Sequence, residues 1–277
     1  MPVKSVYMMT DLEGAAGVDD WDPRHREDAT TAKGVYDRAE MQRLLTGEVN
    51  AAAEGLFEAG AEEVLINDAH GAGRTILSEE LISGVRLVQG VDRPSWLPGV
   101  SPRFDALIQV GMHSMTGTPN GCLAHSMSRN MVYSVNGEEV GEMEMAAYLC
   151  GDLGIPWVFT SGDLHACTES ERWVEDIVTA PVKEGLGELS AIHMAPVDAR
   201  EMIQARVQEA VKIADQIEPL KANGPVVMEV TRPEPGPANV RTGVERVDAF
   251  TVRCEGESFW QVFYQFRTGR SDFPVPK

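Results

Sequence analysis

Up to residue 165 the chain repeatedly exchanges short apolar runs for segments of helical period, and few folds accommodate that alternation. Ser5–Thr10, Glu63–Asn67, Val85–Gln89, Ala106–Val110 and Pro156–Thr160 have the length and apolar content of strands. Between them, Arg38–Ala59 places Ala39, Leu44, Leu45, Val49, Ala52, Ala53, Leu56 and Phe57 at helical spacing, and Gly60 follows where a C-terminal cap glycine belongs. Met131–Val135 and Glu138–Val140 flank Asn136-Gly137, the strongest two-residue hairpin signal, and Glu142–Leu149 continues as a helix. Strand–helix–strand order of this kind predicts an α/β fold with a mainly parallel sheet flanked by helices.

The last third has a different texture. Asp198–Ile217 reads as a charged amphipathic helix, Pro225–Thr231 as a strand, Arg232–Pro237 as a proline-rich turn, Phe250–Arg253 as a strand and Ser258–Phe266 as a helix. The expectation is a larger α/β domain over residues 1–195, carrying the chemistry, and a smaller C-terminal α+β subdomain over residues 196–277.

Bulk properties narrow the partners. With 43 acids against 24 bases the formal net charge of the 277-residue chain is -19, which argues against nucleic acid, since phosphate backbones are held by clustered Lys and Arg. No stretch approaches the ~18–20 apolar residues of a membrane span. The leading MPVKSVYMMTD has one lysine and too short an apolar run for a secretory signal. Cys122, Cys150, Cys167 and Cys254 are widely spaced and form no CxxC pair, as expected of reduced thiols. A cytoplasmic protein without nucleic-acid or membrane partners is expected.

The chemistry concentrates at strand ends, where open α/β sheets bind ligands. Three apolar runs end in ionisable residues: Asp11-Leu12-Glu13, Asp68-Ala69-His70 and Gly111-Met112-His113, each with a neighbouring glycine. Two carboxylates and two imidazoles converging on one crevice make a mixed oxygen and nitrogen set that suits zinc or another late first-row ion better than magnesium. A carboxylate can also bridge two metals ~3.5–4 Å apart, the geometry of two-metal hydrolases. Each residue has a plainer role open to it: Asp11 as the cap of a helix starting near Gly14, Glu13 as a solvated loop acid, His70 and His113 as loop hydrogen-bonders. His125 lies in CLAHSMS, either as a core histidine or as a working one; the adjacent His125-Ser126 makes a poor nucleophile–base pair, and no G-x-S-x-G elbow occurs. Glu138, Glu139, Glu142 and Glu144 crowd seven residues, and composition does not choose among them. His25 is expected to face solvent, His193 to be structural, His165 to end a strand near substrate, and Lys183 to be a surface lysine or a partner for a substrate carboxylate.

The ordered motifs DLEG, INDAHG, QVGMHS, AHSMS and NGEEVGE resemble those of the zinc-dependent D-aminopeptidase family, the DppA-type peptidases of family M55, over residues 5 to 165, with weaker echoes in TAPVKEG and the C-terminal third. The resemblance implies two zinc ions per chain, with Asp11, Glu13, His70, His113 and Glu142 as metal ligands and Asp11 bridging. It implies a catalytic role for His125, as acid, base or nucleophile; Ala124 stands where the family pattern carries serine. It further implies a small peptide substrate, short and led by a D-amino acid, and a homo-oligomer in the form of a ring-shaped decamer. Asn67, Asp68 and Asp163 are expected to orient the metal-binding imidazoles. Two other functions compete: a magnesium-dependent phosphohydrolase, suggested by the D-x-E at the first strand end, and a non-catalytic peptide-binding protein linked to uptake.

Overall fold

The computed structural model describes residues 2–71 and 73–277. The chain order is β1 (Ser5–Thr10), α1 (Ala32–Glu58), β2 (Glu63–Asp68), β3 (Val85–Val88), β4 (Ala106–Met112), β5 (Val132–Val135), β6 (Glu138–Val140), α2 (Glu142–Asp152), β7 (Trp157–Asp163) and α3 (Leu164–Trp173). It continues with β8 (Val178–Gly187), β9 (Ser190–His193), α4 (Pro196–Ile213), β10 (Val226–Thr231), β11 (Glu245–Arg246), β12 (Thr251–Gly256) and α5 (Phe259–Thr268). A seven-stranded sheet runs β3-β2-β1-β4-β7-β8-β9, parallel except for the β8–β9 hairpin at its edge. A second, five-stranded antiparallel sheet runs β11-β12-β10-β5-β6. The α/β class read from the sequence is the observed one.

β1 shows why its sequence lacks polar alternation. Val6 and Met8 face the core built with Leu45 and Val49 of α1 and Ile203 and Val207 of α4, while Tyr7 and Met9 face the core shared with α2 and α5. A strand covered by helices on both faces must be apolar at every position. The Asn136-Gly137 turn forms as expected, with φ of 52° and 87°, the left-handed pair that a tight hairpin requires.

Three features differ from the sequence expectation. α1 begins at Ala32 rather than Arg38, because Thr31 caps it by accepting the Gly34 N–H at 3.1 Å; a cap, not apolar periodicity, sets that end. α3, β8 and β9 were not foreseen, since β8 reads VTAPVKEGLG and carries no clean period. The expected division at residue 195 falls just ahead of α4, which packs against α1, while β5 and β6, from before that point, belong to the second sheet with β10 and β12.

The carboxyl ends of β1 and β4 approach with almost no space between their backbones. Asp11 N donates to Val110 O at 2.9 Å and Gly14 N to Gly111 O at 2.8 Å, extending the pairing past the strand itself. A Cβ on Gly14 would collide with the Met112 carbonyl, and Gly111, at φ 75°, would collide with the Asp11 carbonyl. Gly14→Ala is therefore expected to cost about 3 kcal/mol of stability, at the upper end of overpacking penalties, read as a lowered urea midpoint. An unchanged midpoint would show that this approach has room to spare.

Candidate metal centre

The ends of β1, β2 and β4, together with the first turn of α2, deliver five side chains to one cleft. Asp11 is the common member: its Oδ1 lies 2.9 Å from His70 Nδ1, and its Oδ2 lies 3.1 Å from His113 Nε2. Glu13 Oε2 sits 2.8 Å from the same His70 Nδ1. Glu142 Oε1 is 3.6 Å from His113 Nε2 and 3.8 Å from His125 Nε2. Two groups with the spacing of cation donors result, Asp11–Glu13–His70 and His113–His125–Glu142. All six residues named from the sequence thus converge. Asp11 is no helix cap: residues 12–17 form turns, and its carboxylate also accepts the Leu12 N–H at 2.8 Å.

The imidazoles are held in defined tautomers. His113 Nδ1 donates to Ser114 O at 2.8 Å and His125 Nδ1 to Leu123 O at 2.8 Å, so each ring turns its Nε2 toward the cleft. Their rings stack at 4.0 Å between centroids. His70 is reversed, with Nδ1 toward the acids and Nε2 3.3 Å from Asp22 Oδ2. Asp22 is itself held by Arg24 at 2.7 Å and lies 3.6 Å from Arg38. Asp22 is the residue that orients His70, and only its place before Pro23 hinted at any structural duty. Asn67, Asp68 and Asp163 do not take that role. Asn67 bonds Trp96 O and Arg93, Asp68 bonds Thr75, Ile76 and Gln89, and Asp163 bonds the backbone at Cys122, His165 and Gly185.

The electrostatics describe a site wanting positive charge. Burial pushes the Asp11 carboxyl up, but hydrogen bonds from His113 and His70 outweigh it and hold the acid well below the usual range. Burial disfavours charge on His70 and His113, yet the surrounding carboxylates win and raise both well above an ordinary histidine. Glu13 Oε2, His70 Nε2 and His113 Nε2 are buried without a hydrogen bond of good geometry. Orphaned donors and acceptors packed this closely, in a mixed oxygen and nitrogen set, fit a late first-row divalent cation. Imidazole nitrogens at this density fit magnesium poorly.

The remaining histidines and Lys183 fall as follows. His25 is exposed, as expected, and stands at the rim of the cleft with its ring 6.4 Å from His70. His165 begins α3 and contacts Gly185 O at 3.2 Å, away from the cleft. His193 accepts the Gly17 N–H at 3.0 Å. Lys183 is neither at the surface nor open to substrate: it is buried, and its ammonium donates to the Glu13 and Val18 carbonyls, clamping the loop that carries both acids. Glu48 braces the same loop by accepting the Ala16 N–H at 2.7 Å. Trp21, which nothing in the sequence marked, covers His125 edge-on at 5.3 Å and carries Arg129 over its ring at 4.0 Å. The cleft, open to solvent on one side, measures about 520 Å³.

An open parallel sheet with acid and imidazole groups gathered at its carboxyl edge defines the class, an α/β protein whose strand-end cleft carries two sets of cation donors. The chain belongs to the D-aminopeptidase family M55, a family of hydrolases, whose family model matches residues 5–268. It is 26% identical over 264 residues to the D-aminopeptidase of Bacillus subtilis (strain 168), covering 93% of each chain. The solved structure of the Zn-dependent D-aminopeptidase DppA from Bacillus subtilis, described as a self-compartmentalizing protease, superposes with a TM-score of 0.81 at 25% identity, covering 95% of both chains.

Glu48 offers a test of the bracing beneath the site. Burial pushes its carboxyl up from 4.5 to about 7, so the folded state keeps a proton that the unfolded chain releases. By linkage Glu48 then costs stability increasingly as pH rises through that window. Glu48→Gln is expected to gain on the wild type between about pH 5 and about pH 8 by on the order of 1–3 kcal/mol, measured by urea unfolding at both values. A pH-independent difference would contradict this account.

Proposed function

We propose that the chain is a di-zinc aminopeptidase that hydrolyses short peptides with an N-terminal D-amino acid. The carrying observation is Asp11, whose two oxygens face His70 at 2.9 Å and His113 at 3.1 Å and so reach one member of each donor group. In this reading Asp11, Glu13 and His70 would hold one zinc, and His113 and Glu142, with Asp11 in reach, would hold the other. Zinc, when bound, supplies a polarised scissile carbonyl and a water acidic enough to ionise near neutral pH. Asp22 fixes the His70 ring, and Lys183 fixes the backbone of Glu13. His125, anchored through Nδ1, keeps Nε2 free to take a proton from the attacking water and return it to the leaving amine. Trp21 packs edge-on against the same ring. A second role for His125, as a ligand, is favoured by its Nε2 lying 3.8 Å from Glu142 Oε1.

Elemental analysis separates these roles. The wild type is expected to hold about two zinc ions per chain, and Asp11→Ala to lose metal and D-Ala-D-Ala hydrolysis together. His125→Gln is expected to keep both ions while activity falls roughly 10²–10⁴-fold; loss of one ion would make His125 a ligand. Full activity in metal-free protein, or turnover of L-Ala-led peptides alone, would overturn the reading.

We also infer a homo-oligomer, for which the ring-shaped decamer is the expected form. Leu186, Leu189 and Ile192 stand exposed on the edge hairpin β8–β9, an apolar surface suited to covering by another copy. Sedimentation of the wild type is expected to give a large discrete species, and Leu189→Asp with Ile192→Asp a smaller one. A monomeric wild type would refute it. Cytoplasmic residence is supported by four free, buried cysteines, and no helix among the described residues is long and apolar enough to cross a membrane.

A further inference from the structure

The cleft above the two donor groups continues into a second cavity of about 600 Å³ that reaches α5, and the two spaces share Gly71, Met127, Ser128 and Glu142. The floor of the first is rich in carboxylates; the second is lined by two arginines, Arg93 and Arg267, and by one acid, Glu142. The Arg93 guanidinium is occupied, donating to Asn67 Oδ1 at 3.1 Å, Asp68 O at 2.9 Å and Gly71 O at 3.0 Å.

Arg267 is different. Among the described residues no carboxylate lies within ion-pair reach of it, and its one hydrogen-bond partner is the Met127 sulfur at 3.9 Å, a weak acceptor. That is notable in a chain of net charge -19. The guanidinium rests 5.6 Å from the centre of the Phe263 ring, a contact that consumes none of its donors. One methionine links it to the donor groups: the Met127 N–H donates to Glu142 Oε1 at 2.7 Å, and the far end of the same side chain meets Arg267.

We propose that Arg267 is a specificity-determining residue that receives the C-terminal carboxylate of a short peptide whose amino end lies over Asp11 and Glu13. The proposal rests on the aminopeptidase reading above and narrows it to di- and tripeptides with a free carboxyl terminus. A planar guanidinium with open donors takes a carboxylate in a paired, fork-like contact, and Arg267, exposed at the cavity wall beside Tyr133 and Phe273, is open to one.

The test compares D-Ala-D-Ala with its C-terminal amide on the zinc-loaded enzyme. The wild type is expected to prefer the free acid by roughly 10- to 100-fold in kcat/KM, the effect carried by KM. Arg267→Gln should bring that ratio close to one, and Arg267→Lys should retain an intermediate preference. Arg270→Gln, at an exposed arginine paired with Asp272, should keep the wild-type ratio. Calorimetric binding of a reduced-amide isostere of the dipeptide, as acid and as amide, should show the same difference without turnover. Equal hydrolysis of acid and amide by the wild type, or an undiminished preference in Arg267→Gln, overturns the assignment while leaving the aminopeptidase reading intact. Hydrolysis of neither peptide by the zinc-loaded wild type overturns both.

Discussion

The site depends on how closely two strands approach. β1 and β4 run side by side until their backbones touch beyond the last regular pair, where Gly14 lies under the Met112 carbonyl and Gly111 under that of Asp11. Any side chain at either glycine would wedge the strands apart. Because they stay together, the acids leaving β1 and the imidazole leaving β4 come within hydrogen-bond reach, Asp11 Oδ2 lying 3.1 Å from His113 Nε2. The short distances around Asp11 follow from backbone sterics before electrostatics enters.

What electrostatics adds is a second layer of fixation. The acids are mutually repulsive, and their neighbours are arranged to restrain rather than merely neutralise them. A buried ammonium at Lys183 holds the loop by its carbonyls, Asp22 is pinned by Arg24, and two imidazoles are locked to main-chain oxygens. Groups held this way cannot relax toward solvent, so the cleft keeps its unfavourable concentration of donors ready for a cation.

Much of this was legible in the sequence, and the boundary is physical. The strands of the parallel sheet announce themselves because they are buried on both faces, and the ligand candidates because they stand at strand ends beside glycine. Choosing Glu142 among four clustered acids took the family pattern, since only the turn into α2 distinguishes it. Lys183 looked like a surface residue because a buried lysine is recognisable only by the carbonyls it finds, which come from a loop 165 residues or more away. Asp22 and Trp21 were invisible for the same reason: their work is done on His70 and His125, far along the chain. β8 was missed because its proline and glycines obscure a period that sheet pairing nonetheless imposes.

The interleaving of the two sheets sets an order of events during synthesis. The helix that presents Glu142 rests against α5, with Tyr148 and Phe259 rings 5.2 Å apart, and the hairpin ahead of it pairs with β10. Those supports emerge from the ribosome more than 80 residues after Glu142 itself. The cradle around Asp11 and Glu13 waits for Lys183, and the opposite wall waits for nearly the whole polypeptide. A chain cut short before its last helix would lack part of the packing beneath Glu142.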